Sequence, residues 1–210
     1  MTAVNKLFAI DPFWGNRGKA IDAYAGLEQS LCDLMRTAGE MPRRVAGTIF
    51  FKITNSGARN GILEKLIHQR CGSTYNPFWN CYFRQLPPMD IERNKVVHWA
   101  SRTNVIIDEH HLMWVGTSLV PPTYATEITE EAVTYMGLVA FAKKCGVFAA
   151  LCDMFSWVMF DKEHPWTESA DAWRDIFQQP LVYPLPADHL LFRTPPKPST
   201  ADFRHWRYYT

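Results

Sequence analysis

Apolar positions recur at steps of three and four over residues 17–36. Ile21, Tyr24, Leu27, Leu31, Leu34 and Met35 line one face, which predicts an amphipathic helix with Gly39 as its stop. Pro42 opens a second helix running to about Ile53, with Val45, Ile49 and Phe50 inward. Asn55-Ser56-Gly57 reads as a break and cap, and a third helix follows over 58–69 on Ile62, Leu63, Leu66 and Ile67. Beyond the breaker Cys71-Gly72-Ser73, residues 76–86 form a short aromatic helix with Phe78, Trp79, Tyr82 and Phe83. Pro87-Pro88 separates it from another helix over 89–101. Asp90 and Glu92 fall in the first turn of that helix, where carboxylates meet the positive dipole end.

The period changes after Arg102. Residues 104–108 and 111–120 are extended in character and flank Asp108-Glu109-His110, which predicts a β-hairpin ended by Pro121-Pro122. Thr126 or Thr129 caps the next helix, with the local acids in its first turn. Val133, Met136, Ala140, Val147, Leu151, Phe155 and Met159 continue its apolar spacing, either as one long helix or as two that break near Gly146. A short helix over 167–177 follows. The remainder carries Pro180, Pro184, Pro186, Pro195, Pro196 and Pro198 and reads as a tail packed over the domain.

Composition narrows the classes. A chain of 210 residues suits one domain, or one domain with a substantial extension. Hydrophobic residues at 47% against 20% charged exclude wholesale disorder. Lys+Arg 22 against Asp+Glu 21 gives +1, which argues against coating of nucleic acid and leaves room for a local basic site. The aromatic share, 14% with 8 Trp, points to a ring-rich core or a ring-bearing contact surface. Cys32, Cys71, Cys81, Cys145 and Cys152 are odd in number and lack C-x-x-C spacing, as expected of buried or half-buried thiols in a reducing cytoplasm. The N-terminus has no apolar core of a signal peptide. Lys143 and Lys144 interrupt the apolar stretch 135–160. Its uncharged piece, 145–152, is far short of the roughly 18–20 residues a membrane span needs, so no membrane partner is expected.

One constellation carries chemistry: Arg93-Asn94-x3-His98. Asn94 and His98 are four apart and share a helix face. Arg93 lies about 100° around from Asn94, with a side chain long enough to bend toward it. A histidine can take a proton from a ribose 2′-OH or give one to a leaving oxygen. A guanidinium can grip a phosphate in two places. The set suits phosphodiester cleavage and requires neither cofactor nor metal. One chain supplies one such histidine, and a two-fold dimer would supply two.

This motif, with its polar residue after the Arg, resembles the R-x4–6-H signature of HEPN domains. The preceding long amphipathic helix agrees with that family's helical bundle. The resemblance spans about residues 15–102. It implies a mainly α protein: a HEPN-like helical bundle over 1–102 with an appended β-hairpin, and a C-terminal helical extension within 103–210. It implies a metal-independent endoribonuclease, of a toxin–antitoxin or anti-phage system, acting on RNA as a cytoplasmic homodimer with a possible antitoxin protein as partner. Carried over, Arg93 and His98 would be catalytic and Asn94 would orient them. Some family members keep the fold as a non-catalytic dimerisation or partner-binding module, which is the alternative. Residues 104–210 have no counterpart in a minimal bundle.

Other candidates are weaker. Glu28 borders the apolar stripe and reads first as a solvated or capping residue, although bundles of this family sometimes place a polar residue there facing the motif helix. Asp108-Glu109-His110-His111 offers metal-ligand types, but adjacent side chains diverge, so a plain turn is expected. Arg43, Arg44, Lys52, Arg59, Lys65 and Arg70 read as solvated helix faces, with an RNA path as the alternative. The end, Phe203-Arg-His-Trp-Arg-Tyr-Tyr209, interleaves cations and rings and reads first as a docking tail.

Overall fold

The structure is a computed structural model that describes residues 12–108, 111–122, 131–160 and 169–193. It is mainly helical, with one small antiparallel sheet. Helix α1 (Pro12–Ala38) is followed by α2 (Arg43–Lys52), α3 (Ser56–Cys71) and α4 (Asn76–His98). Strands β1 (Ala100–Asp108) and β2 (His111–Val120) come next, then α5 (Tyr135–Phe160), α6 (Ser169–Phe177) and a 3₁₀ turn at Leu190–Phe192.

The chain divides into two compact units. One comprises Met1–Glu28 and Pro88–Phe148, the other Gln29–Pro87 and Ala149–Thr210. Helices α1, α4 and α5 contribute residues to both. The boundary expected at 102/103 falls inside β1, within the first unit.

In the first unit Phe13, Ala20, Tyr24 and Leu27 of α1 are buried, as are Met89 and Val96 of α4, Trp99 just beyond its end, and Leu138, Phe141, Cys145 and Phe148 of α5. The hairpin pairs Ala100 with Val120 and Asp108 with His111. Its register shifts between Asn104 and Val105, opposite Gly116, whose φ of 150° suits glycine. The Thr103 and Thr117 hydroxyls meet across the strands at 3.3 Å.

The second unit holds most of the aromatic excess. The Phe155 ring packs edge-on against Tyr75 (5.0 Å), Trp79 (4.9 Å) and Phe177 (5.0 Å). Phe177 also meets Phe78 at 4.8 Å and Trp173 at 5.6 Å. Edge-to-face contacts, and the stacking of Trp173 on Phe177, add to the burial of large apolar area. Within the cluster the Tyr82 hydroxyl and Cys152 Sγ share a 2.9 Å hydrogen bond, and burial pushes the Cys152 thiol pKa up.

Several expected boundaries move. Pro87-Pro88 does not divide α4, which runs unbroken through both. Proline ends a helix by leaving carbonyls unpaired. Both prolines are exposed, so those carbonyls can turn to water, while neighbouring Leu86 and Met89 are buried. Asp90 and Glu92 therefore lie in the body of a helix rather than its first turn. Val133 is not helical: it bridges to Leu119, and α5 begins only at Tyr135, where the Gly137 amide donates to Thr134 Oγ1 at 3.3 Å. The proposed caps Thr126 and Thr129 lie outside the described residues, as do residues 194–210. Helix α5 does not break at Gly146.

At α2 the face rotates. Ala46 and Phe50 are buried and Val45 is exposed. Asn55 does cap α3, its Oδ1 accepting from the Ala58 amide at 2.9 Å. α1 stops at Gly39, whose amide donates to Met35 at 2.9 Å, and Glu40 takes the left-handed conformation (φ 49°) while its carboxylate pairs with Arg70. No helix among the described residues is long and apolar enough to cross a membrane. All five cysteines are free: Cys32, Cys145 and Cys152 buried, Cys71 and Cys81 partly so.

Removing the Phe155 ring takes away three edge-on partners and leaves a cavity. Phe155→Ala is expected to lower unfolding free energy by about 3–5 kcal/mol in urea titration. A loss below 1 kcal/mol would show that this cluster does not anchor the second unit.

Candidate functional site

The motif helix ends beside the first helix, and one side chain fixes that end. Arg17 Nε donates to the carbonyl of Val96 at 2.9 Å, and its Nη2 donates to those of Val97 (3.0 Å) and Trp99 (3.2 Å). The last carbonyls of a helix lack intrahelical partners and carry the negative end of its dipole. A guanidinium fork satisfies several of them at once. Its other face lies near the Trp14 ring, 5.6 Å from the centroid. His98 thus sits between two gripped carbonyls. Its backbone is held and its side chain is exposed.

Two turns up from His98, a second chain of contacts orders the motif arginine. Tyr24 of α1 donates a hydrogen bond to Asp90 Oδ1. The Arg93 guanidinium lies 5.2 Å from the centroid of the Tyr24 ring. Arg93 Nη1 donates to Asn94 Oδ1 at 3.0 Å. On the other side Tyr24 stacks on Phe141 at 6.2 Å. Burial first, then the Asp90 carboxylate and Glu28, push the Tyr24 hydroxyl pKa up, against the opposing pull of Arg93.

The structure brings Arg93 and Asn94 together and leaves Asn94 and His98 exposed one turn apart. Among the described residues no hydrogen bond or ion pair engages the His98 ring. His98 is not packed away: the buried ring beside it is Trp99, with Lys95 Nζ at 5.2 Å from its centroid. Sequence reasoning assigned no role here to Arg17, and it placed Tyr24 in the core stripe and Asp90 at a helix start. Their roles depend on the pairing of α1 with α4, which no local signal carries.

The other candidates resolve differently. Arg59 is buried, its guanidinium 4.2 Å from the Phe50 ring centroid, and Arg70 pairs with Glu40. Neither is free for an RNA path. Arg43, Arg44, Lys52 and Lys65 are exposed. Glu109 and His110 lie outside the described residues, as does the aromatic tail 203–209. Among the described residues no group of three or more His, Cys, Asp or Glu could hold a metal ion.

The fold defines a mainly helical protein with one β-hairpin. Comparison with protein-family models, with curated proteins and with solved structures finds no match.

Two measurements test the assembly. Arg17→Ala should cost about 1–3 kcal/mol, because charge-assisted bonds to partly buried carbonyls are lost, and Arg17→Lys should recover only part. The Tyr24 pKa lies above the ordinary 10.0 in the folded state, so the native state keeps a proton that the unfolded chain releases. Tyr24's stabilising contribution is complete below pH 10 and falls as pH rises from there toward the folded value, by up to about 1.4 kcal/mol per pH unit. Urea unfolding of Tyr24→Phe should accordingly lose less stability between pH 9 and 11 than the wild type. Identical slopes would contradict the assignment.

Proposed function

We propose that the chain is a metal-independent, HEPN-like endoribonuclease. The observation that carries this reading is the ordered Arg93–Asn94 pair beside an exposed His98 on one helix. In the proposed reaction an imidazole takes the proton of a ribose 2′-OH. The O2′–P bond forms and the P–O5′ bond breaks, giving a 2′,3′-cyclic phosphate. A protonated imidazole returns a proton to the departing 5′ oxygen. Arg93 stabilises the charge on the phosphoryl oxygens, and Asn94 orients the guanidinium. Since one chain provides one His98, a second copy would supply the other imidazole across a two-fold axis. The setting proposed is a cytoplasmic toxin–antitoxin or anti-phage system, with RNA as substrate and an antitoxin protein as partner.

Wild type should cleave single-stranded RNA in the presence of EDTA. His98→Ala should lose about 10²–10⁴-fold in rate, and Arg93→Ala about 10²–10³-fold, with unchanged circular dichroism. Equal cleavage by wild type and His98→Ala would overturn the assignment. An inactive, dimeric wild type would favour the non-catalytic dimerisation or partner-binding module.

A further inference from the structure

We infer that the outer face of α2 is a binding surface for single-stranded RNA. At about 100° per residue, Phe51, Arg44, Thr48, Lys52 and Val45 follow one another around the side of α2 opposite buried Ala46 and Phe50. All five are exposed, Phe51 by 54% and Val45 by 45%. The helix, RRVAGTIFFK, contains no acidic residue. Among the described residues no carboxylate pairs with Arg44 or Lys52.

Phe51 is held in place from below. Its ring stands edge-on to Phe50 at 5.1 Å, and Phe50 is itself clamped by Arg59 at 4.2 Å. The result is an outward ring seated against Phe50, on the helix face that also carries Arg44 and Lys52. A polyanion whose bases offer flat faces complements that arrangement: phosphates meet Arg44 and Lys52, and a base stacks on Phe51. A lipid surface fits less well. Interfacial helices need a contiguous apolar face, and here the cations lie between Phe51 and Val45. The near-neutral chain agrees with a small patch rather than general coating. The choice of RNA as the polyanion rests on the ribonuclease reading, while the surface itself rests on α2.

The test is fluorescence anisotropy of a labelled 20-nucleotide single-stranded RNA in EDTA. His98→Ala serves as the uncleaving reference against which the other variants are compared. In that background Arg44→Glu/Lys52→Glu should weaken binding at least tenfold. It should also lower the slope of log affinity on log salt by roughly 1.4, from two phosphate contacts. Phe51→Ala should weaken binding several-fold or more, by loss of stacking. Lys143→Glu, an exposed charge on α5, should change little. All the altered positions are exposed, and circular dichroism verifies folding. Unchanged binding by the double variant, an equal loss in Lys143→Glu, or preferential binding to vesicles containing anionic phosphatidylserine would each overturn the surface. Cleavage that persists while the double variant binds normally would sink the surface alone. Phe51-dependent binding without cleavage by wild type would sink the nuclease reading alone.

Discussion

The grip of Arg17 on the end of α4 is the constraint around which the first unit is arranged. The chain turns from helix to strand within two residues of His98, leaving the carbonyls of Val96, Val97 and Trp99 without backbone donors of the helical kind. Unpaired carbonyls at a partly buried helix end are costly, and one guanidinium satisfies these three. The same contact fixes α1 against α4 and sets where β1 departs. It also decides the surroundings of His98, whose backbone is immobilised between two accepted bonds while its ring faces solvent.

From that anchor the order of the site propagates along α1. Tyr24 lies two turns on from Arg17, and its hydroxyl reaches Asp90 while its ring underlies Arg93. Arg93 thus lies over that ring and donates to Asn94. Charge and packing support each other here. Burial and the carboxylates favour a neutral tyrosine, and the neutral hydroxyl is the form that donates to Asp90. Side chains held this way by rigid helices give a more defined geometry than loop residues do.

Much of this was legible. The α1 stripe from Tyr24 to Met35, though not Ile21, which is exposed, the Asn55 cap, the Gly39 stop and the hairpin each followed from spacing or from one residue's backbone preference, and such signals are local. The errors share a cause as well. Pro87-Pro88 carries a strong local signal to stop, yet α4 continues because Leu86 and Met89 on either side are buried and the prolines face water. Val45 reads as inward by type, yet Ala46 and Phe50 occupy the inner face. Val133 has helical spacing, yet it pairs with Leu119. In each case tertiary burial outweighed a preference of order 1–3 kcal/mol.

The sequence by itself determined the helical class, the position of the hairpin and the grouping of Arg93, Asn94 and His98 on one helix. Those depend on periodicity and on separations of five residues or fewer. Only the tertiary structure decided that Arg17 holds the helix end, that Tyr24 and Asp90 order Arg93, and that Arg59 turns inward while Arg44, Phe51 and Lys52 face out. These contacts join residues far apart in sequence, such as Arg17 and Val96, and a partner at that distance leaves no periodic trace in either segment.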